Sequence, residues 1–126
     1  MEVRYTKIFA DDQGRSRFED VALELSPGFA APPAQPLHQA PFLAAEGTFW
    51  LGGTADWVGE VRHPAPARVV FVLVQGECEV TVSDGTVRRF APGNVLLLED
   101  TTGDGHSTRI IGPNTVIVLA VRLPST

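Results

Sequence analysis

An all-β fold, a sandwich or barrel of short strands, follows from three observations. No window of about a dozen residues places apolar side chains at i, i+3, i+4 and i+7 without an interrupting Gly or Pro, so long helices are not expected. Short β-branched and aromatic runs recur instead, each closed by turn residues. Eight or more such runs at close spacing bury their apolar faces only by stacking or curling into a second layer.

Residues 3–9 read as the first strand, stopped by Asp11-Asp12-Gln13-Gly14, and residues 17–25 as the second, ended by Ser26-Pro27-Gly28. Residues 29–41 hold four prolines and four alanines. Proline offers no donor to a ladder, so this stretch is expected as loop or a detached edge. Residues 48–51 are strand-like until Gly52-Gly53, and residues 58–63 lead into Pro64 and Pro66. Residues 68–75 are apolar on both faces, as in a strand covered on both sides. Gly76 turns the chain into residues 77–82, where Cys78, Val80 and Val82 point one way and Glu77, Glu79 and Thr81 the other. Ser83-Asp84-Gly85 is the strongest hairpin signal, because Asp-Gly supplies the positive φ angles of a two-residue turn. Residues 86–90 return, Pro92-Gly93 turns again, and residues 94–99 follow. A polar segment, 100–105, precedes the strands at 106–111 and 115–123.

Composition narrows the function classes. Ten Lys+Arg against fifteen Asp+Glu leave a net charge of −5, the wrong sign for nucleic acid or an anionic membrane. The longest apolar runs are six residues, 69–74 and 116–121, against the ~20 of a membrane-spanning helix. The first ten residues carry Glu2, Arg4 and Lys7, unlike a secretory leader. Cys78 is the sole cysteine, which fits a reducing cytoplasm. The expectation is a cytoplasmic, acidic, single-domain protein with no nucleic-acid or membrane partner.

Four pieces stand in a telling order: Val72-Leu73-Val74-Gln75-Gly76-Glu77, then Val80-Thr81-Val82-Ser83-Asp84-Gly85, then Phe90-Ala91-Pro92-Gly93-Asn94-Val95, then Gly105-His106. Over about residues 57–121 this order resembles the cupin superfamily. The resemblance implies a double-stranded β-helix, the jelly-roll antiparallel barrel. Its core would span about 46–123, with N-terminal strands and a Pro-rich loop in 1–45. It also implies a homodimer, in keeping with an edge that residues 3–9 and the Pro-rich segment leave for a second copy.

Cupins commonly hold one metal through His-x-His, a following Glu and a third His. Aligned from Gly76, the first pair falls on His63 and Ala65, and the Glu on Val69. His106 matches the third histidine, after an approach from Gly93 two residues longer than usual. Glu99 stands at the motif's proline and Ile110 at its final asparagine. Two imidazoles without a carboxylate make a weak site, so no cofactor is expected. A divalent metal (Zn, Fe, Mn or Ni) would need His63, His106 and a displaced ligand such as Glu46, Glu60, Glu99 or His38.

Residues 63, 65, 67, 69, 71 and 73 share parity, so His63, Val69, Phe71 and Leu73 are expected on one interior wall. His106 and His63 are the expected general acid and base, since imidazole titrates near neutral pH. Glu99 follows three leucines, and partial burial there would make it a further proton donor. Trp57 and Phe71 are expected to bury a flat or apolar ligand. Arg68 is placed to clamp a carboxylate at the mouth. Cys78 reads as a small buried hydrophobe.

The leading functional expectation is a small organic molecule bound in the barrel and acted on without a metal by histidine acid/base chemistry, of isomerase, epimerase, cyclase or lyase type. A non-catalytic ligand-binding or sensor module is the alternative, and a metal-dependent enzyme with displaced ligands the third.

Overall fold

The computed structural model describes residues 1–125 and contains twelve strands. In chain order they are β1 (Glu2–Ala10), β2 (Ser16–Glu24), β3 (Ser26–Gly28), β4 (Leu37–Gln39), β5 (Gly47–Gly53), β6 (Val58–His63), β7 (Val69–Gln75), β8 (Glu77–Thr81), β9 (Val87–Phe90), β10 (Val95–Leu98), β11 (His106–Ile111) and β12 (Val116–Arg122). A six-stranded sheet, β2-β1-β10-β7-β12-β5, faces a four-stranded sheet, β6-β11-β8-β9. No helix among the described residues is long and apolar enough to cross a membrane.

The last eight strands form one long hairpin wound on itself. At its tip β8 pairs with β9 across Ser83-Asp84-Gly85. Moving outward, β7 pairs with β10, β6 with β11 and β5 with β12, all antiparallel. Successive pairs alternate between the two sheets, and β7–β12 and β8–β11 ladders stitch the turns together. This is jelly-roll connectivity.

Two features differ from the expected closed antiparallel barrel. The sheets do not close: β5 and β6 are free edges on one side. On the other, β1 lies parallel to β10 and takes the edge that would otherwise meet β9. The second difference lies in the Pro-rich segment, which forms a small separate hairpin, with Ser26 opposite Gln39 and Gly28 opposite Leu37.

The core fills the space between the sheets. Alternation decides its membership: Cys78, Val80 and Val82 are buried from one strand, Leu96 and Leu98 from another, Val116, Val118 and Ala120 from a third. Ile8, fully buried, ties β1 to this layer. The link after β6, containing Pro64 and Pro66, keeps the parity of the chain, since Ala65 and Val69 are both buried.

Candidate functional site

A cavity of about 480 Å³ lies between the sheets, walled mainly by apolar side chains. One wall is the inward row of β6, β7 and their link: His63, Ala65, Ala67, Val69, Phe71 and Leu73. Trp57 and Phe49 stand at the open side between β5 and β6. The Trp57 ring lies against Gly59, where an added Cβ would fall 2.0 Å from it. The polar groups lining the cavity are few: His63, His106, Thr108, Cys78 and Arg122.

His63 and His106 are directly opposite on the β6–β11 ladder, so strand register itself brings the imidazoles together. Their ring centroids are 5.7 Å apart with the planes tilted 48°. The close pairing depends on Gly105 (φ +73°), where a Cβ would come 2.0 Å from the His63 carbonyl. His106 is buried, and its Nδ1 lies 2.6 Å from Oδ2 of Asp100, itself fully buried. A carboxylate accepts, so Nδ1 of His106 is the donor and Nε2 is left free. His63 Nδ1 lies 2.9 Å from the Pro64 carbonyl, which can only accept, so its Nε2 is free as well. Cys78 is an unreactive wall residue, with burial pushing its thiol up to about 11.

Asp100 was not among the expected site residues, although a signal for it exists. Leu96, Leu98 and Asp100 share parity, and all three are buried. Glu99 has the opposite parity and lies away from the cavity lining. Its Oε2 accepts from Arg68 Nε at 2.8 Å, while Lys7 Nζ stands 3.9 Å from Oε1. Arg68 also donates to the Pro124 carbonyl at 2.9 Å. The expectation that Glu99 gives a proton and Arg68 clamps a ligand is therefore not met in placement: the two are partners of each other outside the cavity. The cation that lines the cavity is Arg122. It continues the inward row Val116, Val118, Ala120 of β12.

The donor set does not fit a tightly held metal. Ala65 and Val69 line the wall at the positions where the cupin motif has a histidine and a glutamate, and neither carries a donor atom. Among the described residues no three His, Cys, Asp or Glu side chains converge as ligands. His38 lies in the separate hairpin, and Glu46 pairs with Arg122.

A second concavity of similar volume lies against β1, β2 and β9 and contains Arg4, Arg88 and Arg89. Each of these guanidinium groups is held by a carboxylate, Glu2, Asp20 and Glu77 respectively.

No family model matches the chain, and no curated protein matches it. The solved structures similar to the chain include two cases. The cupin domain of Schizosaccharomyces pombe Cnp3 is 16% identical with a TM-score of 0.49, over 98% of this chain and 84% of that one. A protein described as ethanolamine utilization protein Q from Salmonella typhimurium is 13% identical with a TM-score of 0.40, over 100% of this chain and 99% of that one. The fold is a jelly roll. That assignment rests on the nested strand order and on the Gly-Glu, Asp-Gly and Pro-Gly-Asn turns that join it. The imidazole pair sits where β6 ends and β11 begins.

Proposed function

We propose that the chain binds a small organic molecule in the apolar cavity and moves a proton on it without a metal. The observation that carries this reading is His106: buried, anchored to a fully buried Asp100, and directly opposite a second, exposed imidazole that also lines the apolar cavity. Anchoring at Nδ1 makes Nε2 the basic atom. When Nε2 takes a proton, Asp100 stabilises the imidazolium that forms. The C–H electron pair passes to an adjacent electron-withdrawing group of the ligand. A protonated His63 then returns a proton from its own Nε2 to another atom. Isomerisation, epimerisation, cyclisation and elimination each need only this pair of transfers.

The test is hydrogen–deuterium exchange, read by NMR, on a panel of small carbonyl compounds and sugars in D₂O. Exchange at a carbon should appear with the protein and vanish in His106→Gln at unchanged thermal stability. Compounds that bind saturably yet never exchange would replace this reading with that of a non-catalytic binding module, which the small number of polar groups in the cavity also suits.

The same reading includes a second copy of the chain and a reducing cytoplasmic setting, which the free Cys78 suits. Phe29, Leu37, Phe42 and Leu43 project from the segment around β3 and β4, and Phe42 is fully exposed. Beside them in sequence β5, a free edge, exposes Trp50 on the face opposite to the cavity-lining Phe49 and Leu51. Covering these apolar side chains with their counterparts from another copy removes both liabilities. Light scattering should give a dimer at micromolar concentration and a monomer for Phe42→Asp; a monomeric wild type would overturn the proposal.

A further inference from the structure

We infer that Arg122 recognises a carboxylate on the bound molecule, so that the substrate class is a small organic acid. This deepens the cavity reading above and rests on it.

Register places Arg122, a residue of the cavity lining, at the end of β12 that pairs with the start of β7. Across the six-stranded sheet, Leu98 stands opposite Val69, Val69 opposite Arg122, and Arg122 opposite Gly47. Directly paired residues in an antiparallel ladder share a face. Val69 and Leu98 line the cavity, so Arg122 is on its inner face too. Val69 follows His63 through the short link at residues 64–68, which puts the inward end of β12 opposite the inward ends of β6 and β11. Arg122 therefore approaches from one sheet while His63 and His106 approach from the other.

Two features leave the guanidinium accessible. Gly47 stands opposite it on the edge strand, with open space where a Cβ would be. Its partner is Glu46, met by a 3.2 Å approach of Nε to Oε2, with the two side chains 58% and 50% exposed. Solvent-exposed pairs of this kind contribute little and exchange readily. The planar fork of Arg matches a ligand carboxylate bidentately, and such a pair strengthens as apolar walls exclude water. A carboxylate fixed at Arg122 orients the rest of the molecule toward the two Nε2 atoms.

The experiment titrates matched acid and amide pairs into the full chain: hexanoate and hexanamide, phenylacetate and phenylacetamide, 2-naphthoate and 2-naphthamide. NMR follows the Trp57 indole and the His106 ring. Wild type should bind the acids roughly tenfold more tightly than the amides, the gain of one charge-assisted bidentate contact. Arg122→Gln should abolish that preference by weakening only the acids, and Glu46→Gln should enlarge it. Added salt should weaken the acids alone. A wild type without the preference, or an Arg122→Gln variant that keeps it, would overturn the Arg122 assignment while the cavity signals still move. No shift at Trp57 or His106 with any pair would overturn the cavity reading and this one with it.

Discussion

Gly105→Ala tests whether the imidazole pair is created by backbone approach. Gly105 has φ +73°, and a Cβ there would meet the His63 carbonyl carbon and oxygen at 2.0 Å and the Pro64 nitrogen at 2.2 Å. Those atoms are backbone in a paired strand end and cannot swing aside. The left-handed conformation alone costs an L residue about 1–2 kcal/mol. Forcing the strands apart adds about 1–3 kcal/mol, the usual range for overpacking. Gly112 carries the first contribution alone, because it has φ +77° with nothing within 4 Å of an added Cβ. Gly112→Ala should therefore lose about 1–2 kcal/mol, and Gly105→Ala about 2–5 kcal/mol, in urea denaturation followed by far-ultraviolet circular dichroism. NMR of the imidazole rings should also show His63 and His106 moved apart in Gly105→Ala and still adjacent in Gly112→Ala. Equal destabilisation of the two variants, or imidazoles that stay adjacent in Gly105→Ala, would refute the argument that this glycine brings the strands together.

Three further outcomes follow from the site. Asp100→Asn should fold and lose about 1–3 kcal/mol, because the amide oxygen can still accept from His106 Nδ1 while the NH2 group takes the buried place of Oδ1, which has no partner among the described residues. The same variant should lower proton exchange by about 100-fold or more; unchanged exchange would remove Asp100 from the mechanism. Glu99→Gln should leave ligand binding and exchange untouched and cost about 1 kcal/mol in denaturation, the scale of one partly exposed pair; abolished exchange would return Glu99 to the site. Cys78, with its thiol raised to about 11, should react with iodoacetamide about 100-fold more slowly at pH 8 than a thiol at its ordinary value, from thiolate fraction alone. The raised group favours the neutral thiol, so its contribution to stability is complete below pH 9 and is lost as pH rises toward 11. Denaturation midpoints that rise between pH 9 and 11 in wild type relative to Cys78→Ala would contradict this sign.

How much of the site was legible depended on parity. The odd-numbered residues from 63 to 73 all line the cavity, so the inward row could be read by counting, and Trp57 and Phe71 stand in the cavity lining. The same count continued through Leu96, Leu98 and Asp100, and through Val116, Val118, Ala120 and Arg122, selects the buried carboxylate and the cavity's cation. Reading Glu99 as buried from three preceding leucines used proximity in sequence where alternation was the stronger rule. Arg68 shows a different limit. Its partners, Glu99 and Pro124, arrive from strand ends 31 and 56 residues away, and no local pattern announces them.

Alternating hydrophobicity and turn chemistry were enough to determine the all-β class, most of the strands and the hairpin at Ser83-Asp84-Gly85, because these depend on neighbours a few residues apart. Only the tertiary structure decided that the sheets remain open between β5 and β6, that β1 runs parallel along β10, and that His63 faces His106 while Arg122 approaches from the opposite sheet. Those facts are matters of register between strands far apart in the chain, as when Thr6 meets Leu96, His63 meets His106 and Gly47 meets Arg122. Such register emerges from the simultaneous packing of the whole interior, which no single segment encodes.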